Sequence, residues 1–202
     1  MEYIRELAIP LARHEMGHYV TATVMGFKTG QVQIELLKFN GRKGGSVIHL
    51  GHGHRSLAGL EKYLIARVQV LYAGALAEAL PLYPDFKVDN EKALKVIHGE
   101  GGKDDHSKAR ELIHVLRGIR HPEDDLSDEN AVQNQLTEID EELWKLARDN
   151  VERHSEAIVG LASNLADRVK ALAQVATITE GEFASYSRVQ ELRELGRLAL
   201  ER

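Results

Sequence analysis

His14-Glu15-Met16-Gly17-His18 sets two imidazoles four positions apart, with a carboxylate directly after the first. On an α-helix, positions i and i+4 lie on one face a turn apart, so both rings can converge on one metal ion. Glu15 is offset by one residue, which brings its carboxylate beside the metal without using a coordination position. From there it can take a proton from water that the metal has acidified; zinc lowers the pKa of bound water to about 7. Chance alone gives roughly 0.05 matches to H-E-x-x-H in a chain of this composition. The pattern therefore points to a metal centre and, less specifically, to peptide hydrolysis.

A catalytic centre of this type needs a third protein ligand and an open position for water. The 202-residue chain has no cysteine and ten histidines, so His, Asp or Glu must complete the set. His49, His52 and His54 cluster around a glycine-rich loop, where histidine is ordinarily a solvated turn residue, and His98, His106 and His114 read the same way. Asp104-Asp105 follows the run Gly99-Glu100-Gly101-Gly102 and opens a helix. Position alone leaves two readings of that pair open: a metal ligand, or acids that complement the helix macrodipole.

The elements that must position these groups follow from periodicity. The spacing predicts a first helix over about 10–25, with Pro10 at its first position, Gly26 closing it, and Ala12, Met16, Tyr19, Val20 and Thr23 on one buried face. Alternation over 31–39 and 44–50 predicts two strands joined around Asn40-Gly41 as a hairpin. Ser56 caps a long helix reaching about Leu80, which Pro81 and Pro84 stop. Shorter helices are expected over 90–98 and 103–119, then the acidic connector Pro122-Glu123-Asp124-Asp125. The last third reads as helical throughout: Leu136 to Ala147, then Ile158 to Leu172 after a break near His154. Thr179 and Glu182 have capping-box spacing for a short helix, and a polar helix over 189–200 follows. The fold class expected is mainly α-helical with one small β-sheet, α+β, as a single domain over 1–202: a metal-site subregion over 1–120 and a helical subregion over 121–202.

Composition narrows the function classes. A net charge of −5 with 5% aromatics lacks the basic patch and stacking residues of a nucleic-acid binder. No segment reads as an export signal or a membrane span, and the absence of cysteine fits a cytoplasmic protein.

Four pieces of the chain resemble, in order, the zinc peptidase domain of the FtsH-type ATP-dependent proteases. His14-Glu15-Met16-Gly17-His18 is similar to that family's H-E-A-G-H, and Gly41-Arg42-Lys43-Gly44-Gly45-Ser46-Val47 to its G-R-x-x-G-x-(V/T) turn and strand. Ala73-Gly74-Ala75-Leu76-Ala77-Glu78 resembles its G-G-R-A-A-E segment, and Asp104-Asp105-His106-Ser107-Lys108-Ala109 its (N/S)-D-x-x-x-A segment. With the helical pair over about 138–173 and Thr177-Ile178-Thr179, the likeness spans roughly 8–186.

The resemblance implies an FtsH-like zinc peptidase fold, with His14, His18 and Asp105 as ligands of Zn2+ and Glu15 as general base. Asp105 is preferred to Asp104 because Ala109 stands four residues beyond it. Glu78 matches a glutamate near the metal that would orient a ligand, and the strand around 46–50 would receive an extended peptide along its edge. The implied substrates are flexible or unfolded polypeptides. A separate ATPase could feed the enzyme, and the helical third could build a homo-oligomer. The chain departs from the family in leaving no room for an ATPase module or membrane anchor, and in a longer segment between Glu78 and Asp105. Met16 and Tyr19 also stand where small residues are common, which would reshape the cleft wall. A reading from a different class is a metal-stabilised binding or scaffolding module without proteolysis.

Overall fold

A computed structural model describes residues 2–38, 41–51, 53–81 and 86–200. Asn40, His52 and Pro84, named above in the hairpin turn, the histidine loop and the helix stop, lie outside the described residues. In chain order the elements are α1 (Glu2–Val24), β1 (Lys28–Leu36), β2 (Arg42–His49), α2 (Leu57–Glu78), α3 (Asn90–His98) and α4 (Lys103–Arg120). Then come α5 (Glu129–Arg153), α6 (Ser155–Ala166), β3 (Val175–Ile178), α7 (Glu180–Ser185) and α8 (Ser187–Leu200). The architecture is mainly helical with a small antiparallel sheet of order β2-β1-β3, an α+β arrangement.

Helices α1 and α2 form the centre. Gly17 lets them touch: a Cβ there would lie 2.3 Å from the Ala73 carbonyl oxygen of α2. Arg13 on α1 fixes the register by donating from Nη1 to the Leu80 carbonyl just beyond α2, at 2.6 Å. The second half of α2 is buried on all sides, because α3, α4 and α5 cover what α1 does not. Ser56 caps α2 as expected, accepting from the Gly59 amide at 3.1 Å. Gly26 has φ 83°, the left-handed turn that ends α1 and sends the chain into β1. The hairpin pairs Val32 with Ser46 and Ile34 with Gly44, which brings the middle of β2 over α1.

Four expectations are corrected. Helix α1 begins at Glu2, so Pro10 is interior. The hydrogen bond that Pro10 cannot give would go to the carbonyl of Glu6, an exposed residue whose oxygen water can satisfy, while Ala8 and Leu11 on either side are buried. The last third is not helical throughout. Val175–Ile178 forms β3 against the other edge of β1, with Ile178 opposite Val32. Helix α6 ends at Ala166, so Val169 is buried from a turn and Leu172 is exposed. Finally, Met16 and Tyr19 face the core rather than the cleft, fully buried, with Tyr19 stacked on Phe183 at 4.1 Å between centroids. None of the helices among the described residues is long and apolar enough to cross a membrane.

Candidate metal centre

One face of α1 carries Leu11, His14, Glu15 and His18, at steps of three, one and three, into a cleft of about 470 Å³. The opposite walls are β2 from Lys43 to Ser46, the α2 face of Arg67, Leu71 and Glu78, and the start of α4. His14 and His18 are 5% and 8% exposed, and their ring centroids stand 4.8 Å apart, nearly perpendicular.

Each imidazole is oriented by its Nδ1. His14 Nδ1 donates to Glu78 Oε2 at 3.2 Å, and His18 Nδ1 donates to the Val70 carbonyl at 2.7 Å. A ring whose Nδ1–H is held by an oxygen presents Nε2 outward as the ligating atom. Both Nε2 atoms meet the same carboxylate oxygen, Asp105 Oδ2, at 3.4 Å from His14 and 3.1 Å from His18. His14, His18 and Asp105 form a group with ligand atoms within 4.8 Å of one another, and that group could hold a metal ion.

Two observations test the fit of a cation. A Cβ added to Gly74 would lie 2.6 Å from His14 Nε2 and 2.5 Å from His18 Nε2, so the missing side chain leaves the floor under both nitrogens clear. The electrostatics are those of a site that gathers positive charge. Burial pushes His14 toward the neutral form, but the Asp105 and Glu78 carboxylates outweigh it and raise the imidazole to about 9. Burial likewise opposes the charge on Asp105, yet hydrogen bonds from His14 and His18 hold it well below the usual carboxylate range. The residues fit a divalent ion, which would take the place of the proton between the rings and the carboxylate.

Glu15 stands beside this group without belonging to it. Ser46 donates to Glu15 Oε2 at 3.0 Å and to the Glu15 carbonyl at 2.6 Å. The β2 backbone presses on the same carboxylate: a Cβ on Gly44 would lie 2.4 Å from Glu15 Oε1. Glu78 has a second partner, Arg42 Nη1 at 2.9 Å, so one buried carboxylate links His14 to the start of β2. Burial disfavours the Glu78 charge, but His14 and Arg42 lower its pKa below the ordinary value.

The chain matches no protein-family model, and no curated protein matches its sequence.

Of the residues singled out in the sequence, the fold brings together His14, Glu15, His18, Glu78 and Asp105. Asp104 lines the cleft but is not among the three converging ligands. His106 packs on His98 at 4.6 Å between centroids, His54 on Tyr63 at 4.6 Å, and His49 is exposed at the end of β2. Sequence reasoning did not find Ser46 as the partner of Glu15, Arg42 as the partner of Glu78, or the Val70 carbonyl behind His18. The tertiary fold assembles each of these contacts, so no local pattern signals them; the clear floor at Gly74 had one sequence signal, a glycine inside a buried helix.

Proposed function

We propose that this protein is a zinc-dependent metallopeptidase with an FtsH-like peptidase fold, cleaving flexible or unfolded polypeptides. The observation that carries the reading is Glu15 held by Ser46 in an open cleft, beside two imidazoles and an aspartate that share one focus. Two His and one carboxylate leave a coordination position free, the donor count of catalytic rather than structural zinc. Bound by His14, His18 and Asp105, zinc would supply a Lewis acid for the substrate carbonyl and lower the pKa of water.

The chain's own residues do the rest. Glu15 accepts the proton of the attacking water and returns it to the leaving amine, with Ser46 fixing the carboxylate for both transfers. Glu78 and the Val70 carbonyl keep the rings from turning. Strand β2 pairs with β1 on one side and has no strand on the other among the described residues. An extended peptide can add to that edge by main-chain hydrogen bonds, which favours segments whose backbone is not already paired.

The test is Glu15→Gln. The variant is expected to bind zinc like the wild type and to lose at least about 100-fold in peptide hydrolysis, in line with removal of a general base. Hydrolysis at the wild-type rate with metal bound would overturn the mechanism.

A further inference from the structure

Arg67 has no role in the chemistry just described, yet it lines the same cleft. It is partly buried and, among the described residues, makes no ion pair or hydrogen bond. Burial acts against its charge, and the carboxylate whose field opposes that effect is Asp105, at a distance and without a hydrogen bond. When Asp105 serves a cation, its field no longer offsets that burial, and the Arg67 guanidinium is left in the cleft without an anionic partner. Such a group is stabilised by an anion that arrives from outside.

The geometry says where the anion belongs. Arg67, Leu71, Gly74 and Glu78 follow one face of α2, and Gly74 is the floor under both Nε2 atoms. Arg67 lies two turns earlier, about 10 Å along the axis at 1.5 Å per residue. On the facing wall, Gly44 and Ser46 touch Glu15, and Ile48 reaches a small apolar cluster with Ala66 and Val70, the residues around Arg67. An extended chain rises about 3.3 Å per residue, so a peptide along β2 reaches Arg67 two to three residues from the bond at Glu15.

We propose that Arg67 forms a carboxylate-binding subsite, holding an Asp or Glu side chain, or a chain-terminal carboxylate, two to three residues from the scissile bond. The proposal rests on the peptidase reading for its register and adds a substrate class to it.

The test uses zinc-loaded Glu15→Gln protein and labelled unstructured peptides, read by fluorescence anisotropy. Asp is scanned against Asn at each position, and each peptide is made with a free and an amidated C-terminus. The expected result is about tenfold tighter binding for one Asp position, or for the free terminus, a difference of about 1.4 kcal/mol. Arg67→Gln should bring that ratio below about twofold, Arg67→Glu should turn the preference to Lys, and Arg67→Lys should keep part of it. Zinc content reports that each variant is folded. A ratio unchanged in Arg67→Gln, or no position with a preference, overturns the subsite. The two readings separate: wild-type cleavage without any acidic preference removes the subsite alone, while selective binding through Arg67 without cleavage removes the peptidase alone.

Discussion

At the residue scale, the centre rests on a division of labour between the two nitrogens of each ring. Nδ1 is spent on Glu78 or on the Val70 carbonyl, so Nε2 is left for the shared focus at Asp105. This has a measurable consequence for protons. With its imidazole raised to about 9, His14 carries a proton at pH 7 in the metal-free protein. Zinc held by this ring, as proposed, would displace it, so binding at pH 7 is expected to release about one proton. Calorimetric titration in buffers of different ionisation enthalpy reads this directly, and a binding enthalpy independent of buffer would contradict it. The pair His14 and His18 was legible in the sequence because both residues sit within one helix, where spacing fixes geometry. Asp105 was open from position alone, since an acid in a first helical turn also suits the dipole. The fold distinguishes it from Asp104 by which carboxylate turns to the rings. The Ser46–Glu15 and Arg42–Glu78 contacts join residues from separate elements, which no periodicity encodes.

At the element scale, the centre exists because α1 and α2 approach closely and β2 crosses over α1. Gly17 sets the approach, and Gly74 preserves a gap within it. Gly74→Ala should therefore leave the helices in place at a cost of about 1–3 kcal/mol from overpacking. Zinc affinity should fall at least about 100-fold, because the new methyl occupies the floor beneath both Nε2 atoms. Titration calorimetry with thermal melting separates the two effects; wild-type affinity in this variant would contradict the role given to the gap. Helices α2, α3 and α4 were legible from Ser56, Pro81, the glycine run over 99–102 and the apolar spacing, all local signals. Strand β3 was not, because its four residues follow Val169 and Leu172, whose spacing continues the helical pattern of α6. Its identity comes from pairing with β1, far earlier in the chain. Pro10 misled for the opposite reason: a strong local signal for a helix start gave way to burial of Ala8 and Leu11 around it.

At the scale of the whole molecule, binding of the proposed metal and folding would be linked. A core running from α1 to α8 backs the cleft that holds this charge cluster, so whatever stabilises the cluster stabilises the protein. The sign of the pH dependence follows from His14, raised from 6.5 to about 9 on folding. A raised imidazole contributes stability that is complete below about pH 6.5 and lost as pH rises through about 9. The metal-free protein should therefore weaken across that window, and the stabilisation by zinc should grow. At a zinc concentration 100 times the dissociation constant, binding adds about 2.7 kcal/mol. At about 2–4 °C per kcal/mol for a chain of this size, the melting temperature rises by about 5–10 °C. Asp105→Ala should abolish the rise, and a rise of wild-type size in that variant would mean the ion sits elsewhere. The measurement that bears most directly on the whole account is cleavage itself. Purified wild-type protein, stripped of metal and then reloaded with zinc, is incubated with a mixture of unstructured peptides and read by mass spectrometry. New peptide termini that depend on zinc and vanish in Glu15→Gln are the expected result. Intact peptides at every zinc loading, with the metal bound at His14, His18 and Asp105, would contradict it and leave a metal-stabilised binding module.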